Sequence, residues 1–482
     1  MYAIGRESRP RALALIKGVV PVLSSVAAIW VGREIATGRL GWSSPLALAL
    51  VMLILIAAAL RPHVGVFVLL VTLWLDQLYP WSGVLTLNRA VGLAALGGIV
   101  ARRAIGLDHR RFVVGRFDYA CWVYVLIALL SALVNGPTGS TWEYLRGTVA
   151  GYLIYWVMVN ALTDWQRLRT AAWVIVGCSL IVAISALVQA LTLPEALVKS
   201  RITGVQSVEA TGFASLIATT LVLWLEGRLR GPRKVLCWAT LPCFAIALIL
   251  SGNRTALVAL GALILLLGIL RPRDRPGRGK VLLVVLAVLA GMVVVSSLAP
   301  TTIQRTLNIP APLGLGETSD PNVLSRILLS WASWRMFLDH PLLGVGFGNF
   351  RYYSVLYAAP PGVVEHNLFT GTLGQMGILG MTALILMYST VIPPLWKAAV
   401  SGANSKVGHA ATYVLSLVIV HNIVVAVAHG GYIRREMFVV FALGTVVRRL
   451  LDTKDDPKYR LYPPRSSSPN ESLSPGVGTW AT

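Results

Sequence analysis

A succession of about fourteen apolar runs, separated by short polar or basic stretches, dominates this chain and leaves it few folds to choose from. The runs lie at roughly 13–32, 45–60, 64–80, 84–101, 117–135, 147–162, 170–192, 211–226, 234–251, 255–270, 281–299, 367–392, 409–428 and 436–450. Length alone would allow two or three soluble domains, but a hydrophobic fraction of 56% against 13% charged residues overrides that count. The pattern predicts an all-α, polytopic integral membrane protein with about 12–14 transmembrane helices. Run 13–32 has a basic flank and reads as a signal-anchor first helix, while 45–60 and 64–80 are close enough to pair as a re-entrant hairpin. Four regions follow: a transmembrane bundle over 1–299, an extracytoplasmic loop over 300–366, C-terminal transmembrane helices over 367–451, and a disordered cytoplasmic tail over 452–482, rich in Ser, Pro and Gly.

The net charge of +22 raises the question of a nucleic-acid partner, and the positions of the basic residues answer it. With the amino terminus in the cytoplasm and a crossing at every run, 29 of the 42 Lys and Arg residues fall on the inner side, in the two termini and in short loops such as 102–116, 228–234 and 271–280. The excess is the positive-inside signal, with anionic membrane lipids as natural neighbours. No basic cluster is interleaved with stacking aromatics, so no nucleic acid is expected. The four cysteines all lie in apolar runs without metal-ligand spacing and read as packing residues.

The segment from Pro300 to Asn367 is too polar to cross a bilayer, and chemistry is expected there. Within it, Leu324, Ile327, Leu328, Trp331, Trp334 and Phe337 recur at three- and four-residue spacing, which predicts an amphipathic helix over 322–339 suited to the membrane surface. Arg326 and Arg335 fall nearer its polar side, and Pro341 ends it. The glycines of Gly344-Val-Gly-Phe-Gly348 allow a tight backbone turn but lack the dinucleotide fingerprint.

Arg254 joins two apolar runs with almost no loop between them, and Arg201 and Arg89 lie near the same outer face. An arginine near membrane depth needs a partner or a function, the bland alternative being snorkelling to the headgroups. His366 stands where the outer loop re-enters the membrane; an imidazole there can take a proton from a sugar hydroxyl near neutral pH, or simply serve as a structural hydrogen-bonded group. His421 and His429 also fall toward the outer side, and either remains open as the base. His340 reads as a turn residue, and His63, His109 and His409 lie inside. In the first outer segment, 33–44, Glu34 is the only acid, which gives no carboxylate pair for a metal-held diphosphate. Arginines must then neutralise any diphosphate bound outside.

The run Trp334 to Phe350, containing Asp339-His-Pro-Leu-Leu-Gly-Val-Gly-Phe-Gly-Asn-Phe350, is followed by Glu365-His-Asn-Leu-Phe369 and Leu373-Gly-Gln-Met-Gly-Ile-Leu-Gly380. It resembles the signature of the O-antigen ligase and polymerase superfamily. Arg201-Ile-Thr-Gly204 and Ser251-Gly-Asn-Arg-Thr255 are similar to that family's two upstream arginine motifs. The resemblance implies a GT-C-like fold in the bacterial inner membrane and a donor glycan on undecaprenyl pyrophosphate at the periplasmic or outer face. It also implies inverting transfer to an acceptor glycan or glycolipid without metal or cofactor. Carried over, Arg201 and Arg254, with Arg89 as a weaker third, would hold the diphosphate and His366 would activate the acceptor hydroxyl. Arg326, Arg335 and Asn367 are expected to position the acceptor or the loop. Ligase and polymerase both fit. The rival from another class, a lipid-glycan flippase or other transporter, calls for inverted repeats and charges lining a midplane cavity; no repeat is visible here, and the polar groups gather outside.

Overall fold

The structure, a computed structural model, describes residues 45–75, 87–192, 208–270, 321–357, 359, 363–401, 406–427, 430 and 432–455. The expected spans at 13–32 and 281–299, the tail beyond 455, Arg201 and His429 lie outside the described residues. No strand occurs among those described. The helices are α1 Pro45–Leu60, α2 Pro62–Trp74, α3 Leu87–Ala104, α4 Arg116–Asn135, α5 Gly139–Ala161, α6 Trp165–Thr192, α7 Val208–Leu225, α8 Pro232–Leu250, α9 Arg254–Leu270, α10 Pro321–Asp339, α11 Leu368–Ser401, α12 Lys406–Ile419 and α13 Arg435–Asp455. α12 continues into a π-turn, Val420–Val424.

Among the described residues, three helices are long and apolar enough to cross a membrane by length and composition: α4, α6 and α11. Shorter apolar stretches of 10–17 residues, among them Pro62–Trp74, Thr211–Leu225 and Arg254–Leu270, pack beside them. Large side chains such as Leu236 (70% exposed) and Leu265 (66%) cover outward faces, which in water would be a severe liability and in lipid is the expected outer surface.

Several helices overrun their apolar runs. α5 starts at Gly139, not near 147, so most of the stretch between runs 117–135 and 147–162 is helix. Its first turns, Ser140-Thr141-Trp142-Glu143, are polar, and hydropathy registers only the part that suits lipid. α11 likewise runs on to Ser401, past Pro393 and Pro394.

One continuous core joins the bundle, with α4 packed on α11, α5 on α13, α7 between α6 and α8, and α3 against α1 and α2. At one end, hydrogen bonds from cations close the packing. Arg103 Nη1 donates to Asn160 Oδ1 at 2.8 Å, and Arg449 donates to the carbonyls of Val159 and Leu162 at the end of α5. The loop Pro341–Phe350 closes the other end. Since α5 rises ~1.5 Å per residue, Thr141 at one end and Asn160 at the other are roughly 29 Å apart.

Candidate functional site

The glycine-rich loop after α10 is explained by the second motif, in α11. Val345 N and Gly346 N donate to the Gly374 and Gln375 carbonyls at 3.0 and 3.1 Å, and Ile378 N donates to the Pro341 carbonyl at 2.8 Å. α11 must open at that point to expose its backbone, and it does so at Gly377, whose φ of 62° interrupts the helix. A Cβ at Gly377 would lie 2.4 Å from Leu342 backbone, and one at Gly344 (φ 63°) would lie 2.3 Å from Gln375 backbone. The two motifs are therefore halves of one backbone-to-backbone joint. Side chains complete it: Gln375 Oε1 accepts from Gly348 N at 2.8 Å, and Thr141 Oγ1 donates to the Phe347 carbonyl at 2.8 Å.

This joint fixes α10 against the start of α11, where His366 lies. The neighbours of His366 are both tied down. Glu365 is 1% exposed; its Oε1 accepts from Ser330 Oγ (3.0 Å), Asn367 N (3.0 Å) and Thr370 Oγ1 (3.1 Å), and its Oε2 accepts from Ser333 Oγ (3.1 Å). Burial raises the Glu365 carboxyl above its ordinary range, and the four hydrogen bonds pull the other way. Asn367 Oδ1 accepts from Phe369 N (2.9 Å) and Thr370 N (3.3 Å), which caps α11. His366 itself is half-buried between these anchors. Asn367, expected to position loop or acceptor, is built into the loop as its helix cap.

Leu368 N donates to the Ala426 carbonyl at 2.8 Å, which joins the His366 loop to the chain just beyond the π-turn. His421, within that turn, is 4% exposed, has Nδ1 3.0 Å from Asn422 Oδ1, and meets Phe213 edge-on at 6.0 Å between ring centroids. It is a packed histidine, whereas His366 keeps partial access.

α9 packs against the same π-turn and carries Arg254 as its first residue, half-buried. Asn253 precedes it, with Oδ1 accepting from Ala256 N at 3.2 Å. The Asn253 side chain is buried against Gly212, and its Nδ2 finds no hydrogen-bond acceptor among the described residues. Arg254, Asn253, His421 and the His366 loop thus share one end of the bundle. Arg89 is exposed on α3, which packs on α1, α2 and α5 and on neither α9 nor α11. Arg335 is exposed on α10, with its guanidinium 5.4 Å from the Trp331 ring centre, and Arg326 is half-buried on the same helix. Sequence reasoning had not singled out Asn253, Ser330, Ser333 or Gln375; the Asn beside Arg254 and the Glu beside His366 were visible signals.

Residues 238–385 match the family model described as O-Antigen ligase. Over that stretch, about a third of the chain, the sequence is similar to O-antigen ligases. That stretch spans Arg254, all of α10, the glycine-rich loop, the joint at Gly377 and His366; Thr141, His421, Ala426, Arg89 and Arg201 fall outside. No curated protein matches the chain. The O-antigen ligase match and the apolar helices together are consistent with a membrane protein.

Proposed function

We propose that this O-antigen ligase-type protein transfers a glycan from undecaprenyl pyrophosphate to an acceptor sugar hydroxyl. The observation that carries this reading is the placement of His366: a half-buried imidazole held between two anchored neighbours, at the bundle end that also presents Arg254. The basic clusters closing the packing lie at the other end, which the positive-inside rule assigns to the cytosol and which puts His366 toward the periplasm.

In this mechanism His366 takes the acceptor hydroxyl proton as its oxygen attacks the anomeric carbon from the face opposite the diphosphate. The bond from that carbon to the diphosphate oxygen breaks, and the diphosphate leaves with the electron pair, which inverts the configuration. The leaving group is already good, so the protein's work is to position the hydroxyl and neutralise developing charge. Arg254 suits the second of these roles, because its guanidinium stands at the N-terminus of a 17-residue helix, where the helix dipole also favours an anion. The free Asn253 amide hydrogens point to a further donor beside it. Arg201 is assigned the second phosphate, and Arg326 and Arg335 the acceptor or the loop. No metal is needed in this scheme.

Purified protein supplied with lipid-diphosphate-linked glycan and acceptor should form the transferred product, and His366→Ala and Arg254→Ala should lose it while still inserting in the membrane. Near-normal transfer by both variants would overturn the site. A deletion strain separates the two family activities: loss of a ligase leaves long glycan on the carrier lipid, and loss of a polymerase leaves single repeats.

A further inference from the structure

Between the ends of α1, α2, α3, α5 and α6, at the end of the bundle away from His366, lies a cavity of about 790 Å³. Five guanidiniums line it, from Arg61, Arg102, Arg103, Arg110 and Arg167, against two carboxylates, Asp108 and Asp164. Both carboxylates are engaged: Asp164 lies 3.1 Å from Arg167, and Asp108 lies 3.8 Å from Arg103. Positive charge is left in excess.

The arginines are also held in place. Arg102 Nη1 donates to the Leu60 carbonyl at 3.0 Å, and Arg167 Nη1 donates to Thr163 Oγ1 at 2.9 Å. Arg103 lies over the Phe112 ring at 4.5 Å with a side chain 6% exposed, and its buried Nε makes no hydrogen bond. That Nε faces only Asp108 Oδ2, at 3.8 Å, and five guanidiniums against two engaged carboxylates suit an anion with several oxygens. Leu60 (61% exposed) and Leu107 (63%) line the cavity with apolar surface that an inorganic ion would leave unused.

We propose that this cavity binds the phosphate headgroup of an anionic membrane lipid, with Arg61, Arg102 and Arg110 pairing its oxygens and the exposed leucines meeting its glycerol and acyl chains. Planar guanidiniums fit phosphate bidentately, and basic pockets between helices on the cytosolic side suit such headgroups. The site is separate from the glycan-transfer end and does not rest on the assignment of His366.

The test uses the full-length protein in detergent, with thermal unfolding and native mass spectrometry as readouts. Added phosphatidylglycerol should raise the melting temperature and persist as a bound adduct, and phosphatidylcholine should do neither. Arg61→Gln/Arg110→Gln, which changes two exposed side chains, should weaken the phosphatidylglycerol effect about tenfold or more, as one kcal/mol or so per basic group near anionic lipid predicts. Lys397→Gln/Arg448→Gln, basic residues outside the cavity, should leave it unchanged. Should the double variant unfold, Arg61→Gln alone is measured. Equal phosphatidylglycerol binding by wild type and cavity variants, or equal loss in the Lys397/Arg448 control, would overturn the site. Inorganic phosphate protecting as well as phosphatidylglycerol at equal concentration would overturn the lipid assignment.

Discussion

At the His366 end of the bundle, the polar side chains around the histidine do local mechanical jobs: Glu365 collects four donors, Asn367 and Asn253 cap helices, and Gln375 holds a loop amide. At the opposite end, arginines crowd a cavity and two carboxylates offset only part of their charge. One end is built for geometry and the other for potential. Positioned acid-base groups act through sub-ångström placement, whereas an electrostatic basin tolerates movement and responds to the sum of its charges. Substitutions should therefore separate the ends: side-chain truncations near His366 should be costly to transfer, and single charge changes in the cavity should be mild.

The largest expected effect is on His366. Removing a general base costs about 10²–10⁴ in rate, so His366→Ala should lower transfer by that range, measured as turnover of lipid-linked glycan with protein level unchanged. Arg254→Ala removes a charged hydrogen-bonding partner of the diphosphate, for which a loss of ~1.5–3 kcal/mol gives a rate roughly 10–150-fold lower. In the same assay Arg61→Gln/Arg110→Gln should stay within about twofold of wild type. A comparable fall in that variant would break the division between the ends.

Next comes the joint. Gly344→Ala adds a Cβ 2.3 Å from Gln375 backbone at a φ of 63°. Neither the strained backbone nor the packed helix can yield cheaply, so destabilisation of at least ~1–3 kcal/mol should appear as a lower melting temperature. Gly97→Ala, at a site with nothing within 4 Å, is the control and should leave the melting temperature near wild type. Equal stability of the Gly344 variant would show that the loop is not clamped to α11.

Glu365 comes third. As a positioning residue it should affect kcat more than KM: Glu365→Ala removes the acceptor for Ser330, Ser333, Thr370 and Asn367 N, and a loosened His366 should lower kcat by about tenfold or more. Glu365→Gln keeps an acceptor at Oε1 and should restore most of the rate. Failure of Gln to rescue would assign the carboxylate a role in the chemistry instead.

The sequence revealed these features unevenly. Apolar run 117–135 and helix Arg116–Asn135 nearly coincide, because an all-apolar stretch has one signal and lipid-facing packing obeys it. The turn at Gly344-Val-Gly-Phe-Gly348 was legible as a turn, but its partner around Gly377 was not; backbone contacts between positions 29 and 37 residues apart leave no periodicity to detect. On α10 the aromatic residues Trp331 and Trp334 dominate the sequence pattern, and they are exposed; the face packed into the protein is Leu329, Ala332, Ser333 and Met336. Small residues let helices approach closely in membranes, and a hydrophobicity scale gives them little weight. Glu365 was visible as a residue beside His366, yet nothing in the sequence distinguishes a loop acid from one that collects Ser330 and Ser333 from another helix.

The smallest effect concerns pH and tests the basic end by itself. His63 sits one residue before its apolar run, and burial first, then the charges of Arg167 and Arg61, push its pKa down to about 4; Arg102 adds to this and Asp164 opposes it. The unfolded chain, with His63 near its ordinary 6.5, binds this proton more readily than the folded one. The contribution of this group to stability is thus fully present above about pH 6.5 and is lost as pH falls toward 4. Arg61→Gln removes one of the opposing charges, so His63 should titrate at higher pH and the acid-induced fall in melting temperature should shrink. Phosphatidylglycerol in the cavity should act in the same direction through its negative charge. An Arg61→Gln profile that superimposes on wild type between pH 7 and 4.5 would show that His63 does not sense the cavity's charge, and the contrast between the two ends would then rest on the lipid measurements alone.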